Sequence, residues 1–314
     1  MKSETLLVTG GRGFIGSSVV HHLLMCNRKV HAFGPMSPVQ LPEGTTETIG
    51  SIEDLQLVDK VISQYRPRQV LHFASFSTGS VGLTRSGEMD PERMLSVNVV
   101  GFQNLLNTCV AYGVERVVWT SSTVVLGRSN SAVERCDERA PRVPLTNYGM
   151  SKLLAEDLAD FYRRRHGLEV VGLRIPLVLG PGLWYQGAAA PLNQLAMQAM
   201  KLEGGTCNVP SGMFDALHVK DIGSLIEKLI NHTAQLAPIY NVAGFTTSYS
   251  EIRRCFIDLV SDFQPQLKEF TPEIAYPLVS QAMLENDTGW RHRLTIKDTL
   301  QDMLIELKKN CHEH

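Results

Sequence analysis

The sequence lacks the features that mark membrane, secreted and nucleic-acid-binding proteins. Its 314 residues contain no apolar run long enough to span a bilayer, and no basic segment followed by a long apolar stretch opens the chain. Lysine and arginine total 30 against 32 acidic residues, so the net charge is −2 and no basic run is present to bind phosphates. We therefore expect a cytoplasmic protein with no membrane and no nucleic-acid partner.

Paired cysteines are also lacking. The six cysteines are widely scattered and form no C-x-x-C pair, which excludes a dense disulfide framework and favours reduced thiols. The last four residues, 311–314, read CHEH and include metal-ligand types. A chain terminus rarely holds the geometry that a metal needs, so we interpret them as a solvated end and expect no metal.

Internal repeats and low-complexity tracts are absent, and what is present is one regular alternation. Short β-branched or apolar runs at 5–9, 29–33, 45–49, 69–73, 116–120 and 169–174 alternate with amphipathic stretches at 14–26, 52–65, 91–112 and 147–166. This alternation is typical of a parallel sheet covered by helices. We expect an α/β fold with a doubly wound parallel Rossmann sheet, whose ligand crevice lies at the carboxyl ends of the strands.

The alternation ends near residue 176, where a loop rich in glycine and alanine begins. Residues 1–175 are therefore assigned to the sheet domain. Residues 176–314 are assigned to a smaller, mostly helical C-terminal region, of which about 217–245 returns to the sheet.

A glycine loop directly follows the first predicted strand and opens the first predicted helix. Residues 9–16 read TGGRGFIG. Gly10 permits a tight turn, Gly13 lets the backbone approach a pyrophosphate, and Gly16 lets the helix pack closely on the strand. The strand before the loop and the helix after it predict a dinucleotide site.

This loop resembles that of the extended short-chain dehydrogenases/reductases, the NAD(P)-dependent epimerase/dehydratase superfamily. Further matches are SI at 51–52, LHFAS at 71–75, NVVG at 98–101 and GW at 289–290. The stretch from about Leu105 to Val125, with NLLNTC and VVWTSS, also resembles the 3β-hydroxysteroid dehydrogenase branch. The resemblance implies a nicotinamide cofactor bound by the loop and by residues aligned with the family's cofactor site: Gly10, Arg12, Gly13, Phe14, Ile15, Gly16, Gly34, Ser51, Ile52, Phe73, Ala74, Ser75, Asn98, Tyr148, Lys152, Pro176 and Val178.

The second predicted strand departs from this pattern. An acidic residue about 20 positions past the glycine loop normally binds the ribose 2′-hydroxyl of NAD. Here Gly34 occupies that place, and Arg12 in the loop could pair with a 2′-phosphate or remain solvated. The cofactor is therefore expected to be NAD or NADP, and NADP is credible.

Residues 148–152 read YGMSK and place a phenol and an amine on one face of a helix. Lowering a phenol's pKa from about 10 to about 7 requires about 4 kcal/mol of phenolate stabilisation, which a nearby ammonium can supply. In the family interpretation Tyr148 exchanges a proton with the substrate, while Lys152 supports it and binds the nicotinamide ribose.

A third catalytic candidate lies at the end of the fifth predicted strand, where 120–127 read TSSTVVLG. Aligned on Gly127 with the family's S-S-x-x-V-Y-G, Ser122 takes the catalytic place and its hydroxyl polarises the reacting oxygen. Thr123 is the second choice and Ser121 the third.

The C-terminal half lacks the arginines and the asparagine that many relatives use to hold a nucleotide sugar. Leu177 stands in the place of the asparagine and Phe214 in the place of an arginine. A diphosphate without such partners binds poorly. We therefore expect an uncharged or apolar small-molecule substrate that is not a nucleotide sugar, contacted by Thr123, Leu177, Trp184 and Phe214. The same residues could instead close the core of the smaller region.

The leading hypothesis is an NAD(P)-dependent oxidoreductase that transfers a hydride between nicotinamide and a secondary alcohol or ketone. The alternative is an NAD-dependent sugar epimerase or dehydratase that keeps its cofactor bound. A third possibility is a dinucleotide sensor without catalysis. Residues 1–175 would bind the dinucleotide and carry the catalytic groups, and 176–314 would bind the substrate. The resemblance further implies a homodimer formed through the helices at 91–112 and 147–166.

Overall fold

A parallel sheet forms the centre of the molecule. The computed structural model describes residues 4–128, 135–183, 187–202 and 204–312. The sheet contains β1 (Leu6–Thr9), β2 (Val30–Gly34), β3 (Thr46–Ile49), β4 (Gln69–His72), β5 (Arg116–Ser122), β6 (Glu169–Ile175) and β10 (Ile239–Asn241). These seven strands lie in the order β10-β6-β5-β4-β1-β2-β3, and every pairing is parallel. The expectation of a doubly wound parallel sheet is confirmed.

Helices cover both faces of this sheet, and further helices belong to the smaller C-terminal region. They are α1 (Phe14–Met25), α2 (Leu55–Tyr65), α3 (Leu83–Met89), α4 (Pro91–Leu95), α5 (Phe102–Ala111), α6 (Asn147–His166), α7 (Ala190–Lys201), α8 (Val219–Ile230), α9 (Tyr249–Leu259), α10 (Ala282–Thr288) and α11 (Ile296–His312). Among the described residues, none of these helices combines the length and the apolar character that crossing a membrane requires.

The alternation of side chains along each strand divides the core into two layers. Leu6 and Val8 of β1 pack with α1 and α8 on one face, whereas Leu7 packs with α2, α5 and α6 on the other. Strands that are buried on both faces need near-continuous apolar sequence, and all of β1 and β5 is buried. This requirement explains why the strands are the clearest signal in the sequence.

The smaller region contains sheets as well as helices. The strands β7 (Leu177–Leu179), β9 (Phe214–His218) and β11 (Phe245–Thr247) form a three-stranded sheet, and β8 (Thr206–Pro210) pairs with β12 (Gln266–Phe270). Their apolar residues close a separate core with α7, α9 and α11. The helical character of this region is confirmed, but its five short strands were missed, because half-buried strands such as β8 carry few apolar residues.

One predicted helix is interrupted. The stretch 91–112 forms α4, a π-helical turn over Ser96–Gly101, and then α5. The wider turn shifts the side chains that follow it and places Asn98 in the interior, where it is buried. Gly101 is required there, because a Cβ at this position would lie 2.4 Å from Cγ2 of Ile52.

The long helix α6 has the predicted bounds because its ends are specified locally. Thr146 precedes it, and its hydroxyl accepts a hydrogen bond from the backbone N–H of Gly149 at 3.0 Å. Gly167 ends it in the left-handed conformation with φ of 68°. Basic residues occupy the last turn, where they stabilise the negative end of the helix dipole.

Candidate functional site

The crevice lies where the sheet reverses its winding. β1 and β4 are neighbours, but the chain leaves β1 toward β2 on one side and leaves β4 toward β5 on the other. Ligands of doubly wound sheets bind outside the carboxyl ends of the strands at this point. Thr9 and His72 end the two strands, and the Thr9 hydroxyl lies 2.6 Å from Nδ1 of His72.

The glycine loop packs directly on the end of β4. Gly10 has φ of +71°, and a Cβ there would lie 2.6 Å from the backbone nitrogen of Ala74. A Cβ on Gly16 would lie 2.1 Å from the carbonyl oxygen of Gly10. At Gly13 an added Cβ would approach only the Gly10 carbonyl, at 3.1 Å, and otherwise meet open space. The backbone at Gly13 is therefore open to a ligand.

The start of α1 suits an anion. The helix begins at Phe14 without a side-chain cap, and its first turn contains no acidic residue. Backbone N–H groups at such a helix end and the helix dipole together favour a phosphate group. The open backbone at Gly13 and this helix end therefore fit the pyrophosphate of a dinucleotide.

Arg12 is occupied by protein partners. Its Nε and Nη2 donate to the two carboxylate oxygens of Glu47 at 2.7 and 2.8 Å. Nη1 donates to the carbonyl oxygens of Val39 at 2.7 Å and Ser37 at 3.3 Å. The bond to Arg12 holds the pKa of the Glu47 carboxyl below its usual range. Sequence reasoning missed Glu47 because it lies 35 positions from Arg12, and only the pairing of β2 with β3 brings the two together.

Gly34 ends β2 beside the loop, as expected from the sequence. A Cβ there would lie 3.5 Å from the backbone nitrogen of Gly10. No carboxylate is therefore present at the end of β2, and the acidic group nearest to Arg12 comes from β3 instead.

The predicted cofactor residues Ser51 and Ile52 have different surroundings. Ser51 is half-buried, and its hydroxyl donates to the Glu53 carboxylate at 2.9 Å. Ile52 is buried beneath Gly101 and belongs to the sheet core. Glu53, which sequence reasoning missed, also pairs with Arg93 at 2.7 Å.

Asn98 organises the segment that follows β4. Its side-chain oxygen accepts hydrogen bonds from the Ser75 hydroxyl at 3.2 Å and from the Phe76 backbone N–H at 2.9 Å. Its amide nitrogen donates to the Ser151 hydroxyl at 2.9 Å. Phe73 and Ala74 precede this segment at the edge of the crevice. Since both ends of the Asn98 amide are engaged, the residue acts by positioning 75–76 against α6.

Tyr148 and Lys152 lie in the first turns of α6, and both are buried. The Lys152 ammonium donates to the carbonyl oxygen of Thr120 at 2.9 Å and lies 5.7 Å from the centre of the Tyr148 ring. Burial lowers the pKa of Lys152 to about 8, and the nearby Glu156 carboxylate opposes this shift. Below that pH the amine is a buried cation beside the phenol.

Ser122 and Thr123 lie where β5 turns into a 3-10 turn that packs on α6. The Ser122 hydroxyl accepts a weak hydrogen bond from the Val124 backbone N–H at 3.4 Å. Gly149 lets α6 pack closely on this turn, because a Cβ at position 149 would lie 3.2 Å from the Val124 carbonyl oxygen. The structure thus brings the predicted Ser, Tyr and Lys to one end of the sheet.

The remaining substrate candidates belong to the smaller region. Leu177 is half-buried on β7, and the half-buried Phe214 of β9 packs against Tyr249 with ring centres 5.6 Å apart. The cofactor candidates Pro176 and Val178, on either side of Leu177 in the chain, are buried. Trp184 lies outside the described residues.

A cleft of about 530 Å³ opens in the smaller region between the loop after β7, α7, β8 and α11. Its described lining includes Leu183, Met197 and Met303, the amide side chains of Asn193 and Asn208, and Glu306. Among these described lining residues Glu306 is the single charged group, so they provide no cation for a diphosphate.

Comparison with known proteins identifies the family of this chain. Residues 6–243 match the NAD dependent epimerase/dehydratase family. A UDP-glucose 4-epimerase from Azospirillum brasilense is 31% identical over 237 residues, which are 70% of this chain and 66% of that protein. A dTDP-glucose 4,6-dehydratase from Streptomyces antibioticus is 31% identical over 257 residues, 77% of this chain and 72% of that protein.

Among solved structures, the UDP-glucose 4-epimerase of Thermus thermophilus in complex with NAD has a TM-score of 0.82 and 25% identity. The match covers 97% of this chain and 99% of that one. The relatives favour the alternative of an epimerase or dehydratase over the expectation of a substrate other than a nucleotide sugar. Because the family match extends over most of the sequence, the chain belongs to the NAD-dependent epimerase/dehydratase family, whose members are enzymes of the extended short-chain dehydrogenase/reductase type.

Proposed function

We propose that this chain is an NAD-dependent epimerase that oxidises and re-reduces a secondary carbinol of a sugar-type substrate without releasing its cofactor. The proposal rests on the placement of Tyr148, Lys152 and Ser122 at the carboxyl end of the sheet. The glycine loop at the same end fits a dinucleotide. The relatives named above support the sugar class.

The residues divide the work of proton transfer. Tyr148 accepts the proton of the substrate hydroxyl and later returns it. Lys152, fixed on the Thr120 carbonyl, supports the phenolate while it is charged, and this support declines above about pH 8. Ser122 donates a hydrogen bond to the reacting oxygen. When bound, NAD supplies the hydride acceptor.

The chemistry of the turn after β5 favours epimerisation over dehydration. Removing a hydroxyl next to the oxidised carbon requires an additional acid and base. Residues 122–127 read STVVLG and contain no carboxylate or amine. Reversal at one carbon needs only the proton shuttle of Tyr148 and the returned hydride, so the residues present are sufficient.

A net dehydrogenase acting on a small alcohol is the second candidate. It is favoured by the cleft of the smaller region, whose described lining contains no cation, and by Leu177 and Phe214 in the places of polar groups. These surroundings suit a free sugar or polyol better than a diphosphate. In that case reduced cofactor leaves the protein after each turnover.

We also infer that Glu47 makes the chain select NAD over NADP. The Glu47 carboxylate binds the Arg12 guanidinium through two hydrogen bonds and neutralises it. A 2′-phosphate at Arg12 would have to displace this carboxylate or lie beside its negative charge. Glu47 therefore compensates for the carboxylate that Gly34 lacks.

A homodimer through α5 and α6 completes the proposal. Met150, Leu154 and Phe161 are exposed on α6, and Val100 is exposed just before α5. Contiguous exposed apolar side chains on neighbouring helices are typical of an interface.

Gly13→Val tests the cofactor site. The added Cβ lies 3.1 Å from the Gly10 carbonyl oxygen and otherwise meets open space, so we expect the melting temperature to fall by only a few degrees, while NAD affinity falls at least about tenfold, or about 1.4 kcal/mol. Calorimetric titration with NAD measures the affinity. Gly204→Val is the matched control, since Gly204 also has open space around it. Unchanged NAD affinity in Gly13→Val would contradict the proposed pyrophosphate position.

Tyr148→Phe tests the reaction. The protein is incubated with UDP- and dTDP-hexoses and with the corresponding free sugars. We expect interconversion of hydroxyl epimers with no accumulation of NADH, and a loss of at least about 100-fold in kcat in the variant with its NAD content unchanged. Tyr112→Phe, at the far end of α5, is the control. Stoichiometric NADH from a free sugar would establish the dehydrogenase, and NAD binding with no turnover at all would indicate a sensor.

Glu47→Gln tests the cofactor preference. A neutral amide leaves the Arg12 charge available, so we expect the ratio of the NADP and NAD dissociation constants to fall at least about tenfold. Adding Arg12→Gln to this variant restores a preference for NAD. Glu43→Gln is the control on the same surface. An unchanged ratio in Glu47→Gln contradicts the assigned role.

Phe161→Asp tests the dimer. We expect the unmodified protein to have the mass of two 34.8 kDa chains by light scattering and the variant to have the mass of one. Phe270→Asp, which alters an equally exposed phenylalanine on β12, should remain a dimer. A monomeric unmodified protein excludes the interface.

A further inference from the structure

Three metal-ligand side chains converge between α1 and α8, away from the glycine loop. His22 and Cys26 lie at the end of α1, and Glu227 lies on α8. Nε2 of His22 is 2.8 Å from Oε2 of Glu227 and 3.7 Å from Sγ of Cys26. The three ligand atoms lie within 4.8 Å of one another, and each residue is half-buried.

The packing of the two helices fixes this arrangement. His22 and Cys26 are four positions apart, so they occupy one face of α1. Opposite them, a Cβ on Gly223 would lie 2.6 Å from Cβ of His22. Gly223 thus lets His22 lie directly against α8. Glu227 is one turn further along α8, and its carboxylate contacts Nε2 of His22.

Small side-chain shifts would bring these atoms to the distances of a tetrahedral site. Zinc binds nitrogen, oxygen and sulfur ligands at about 2.0–2.3 Å, which separates neighbouring ligand atoms by about 3.3–3.6 Å. The separation of the His22 nitrogen from the Cys26 sulfur is 3.7 Å, about 0.1 Å above this range. The separation of the imidazole from the carboxylate, 2.8 Å, must widen by about half an ångström. The Glu227 side chain is 37% exposed and is free to move by this amount.

The donor set also identifies the class of metal. A thiolate, an imidazole and a carboxylate together suit a borderline divalent ion such as Zn²⁺ and do not suit Mg²⁺ or Ca²⁺, which prefer oxygen ligands. Partial burial and the bond to Glu227 raise the pKa of the Cys26 thiol, so the metal must displace a proton. Arg28 lies near enough to oppose a cation, and the two anionic ligands exceed its single charge.

We propose that His22, Cys26 and Glu227 form a Zn²⁺ site with solvent as the fourth ligand. The ion links the end of α1 to α8. Since α1 begins at the glycine loop, occupancy of the site stabilises the helix that supports the cofactor loop. Binding to the folded state alone raises the melting temperature.

Cobalt substitution tests this site directly. Co²⁺ is added to the full-length protein, and its absorbance is recorded for the charge-transfer band of a cobalt–thiolate bond and the visible bands of a tetrahedral ion. Zinc titration by calorimetry gives the stoichiometry. We expect one ion per chain, and we expect Cys26→Ser to remove the thiolate band and to lower zinc affinity at least about tenfold, since even partners outside the ligand set contribute this much.

Two controls separate this site from the other thiols. Cys255→Ser alters a half-buried cysteine on α9 and should retain the band. A variant with Cys311→Ser, His312→Ala and His314→Ala removes the ligand types of the C-terminal residues and should also retain it. Absence of the band in the unmodified protein, its persistence in Cys26→Ser, or its loss only in the C-terminal variant would overturn the proposal. These outcomes do not depend on enzymatic turnover, so failure of the epimerase proposal is distinguishable.

Discussion

The buried ion pair between Glu156 and Arg174 is the interaction on which the active-site end of the sheet depends. The Arg174 guanidinium donates to both Glu156 oxygens at 2.8 and 2.9 Å, and the two side chains are 3% and 6% exposed. The Ser121 hydroxyl donates to the same carboxylate at 2.6 Å. This one carboxylate therefore joins α6 to β5 and β6. Loss of Glu156 would leave the buried Arg174 charge without its carboxylate, at a cost of about 3–5 kcal/mol, whereas loss of Arg174 would leave Glu156 paired with Arg142 at 3.2 Å.

The ion pair lies close along the chain to the candidate catalytic residues. Lys152 lies one turn before Glu156 on α6, and Ser122 follows Ser121 on β5. Burial lowers the pKa of Lys152 to about 8, below its ordinary value. Between that pH and the unfolded value, the unfolded chain binds more protons than the native one, so stability rises with pH across this window, and the full cost of burying the charge applies below it. The bond to the Thr120 carbonyl offsets part of that cost.

The sequence predicted those elements whose structure is determined by residues close together in the chain. The bounds of α6 follow from its caps, and the glycine loop follows from backbone constraints at Gly10 and Gly16. Long-range pairing was not predictable. The sequence leaves Arg12 open between a 2′-phosphate and solvent, because it does not show that β3 brings Glu47 to this guanidinium. The contacts of Asn98 with Ser75, Phe76 and Ser151 were likewise not predictable, because the π-helical turn that places Asn98 among them has no recognisable sequence pattern.

In the substrate region, the identities of single residues predicted a substrate class that differs from the activities of the relatives. Leu177 and Phe214 predicted a substrate other than a nucleotide sugar, whereas the curated relatives include a UDP-glucose epimerase and a dTDP-glucose dehydratase. A crystal structure of the protein with its nicotinamide cofactor would test the proposed site most directly. We expect pyrophosphate oxygens on the backbone at Gly13 and the start of α1, with the nicotinamide ribose at Lys152. Cofactor bound elsewhere, or a nicotinamide distant from Tyr148, would exclude the proposed site.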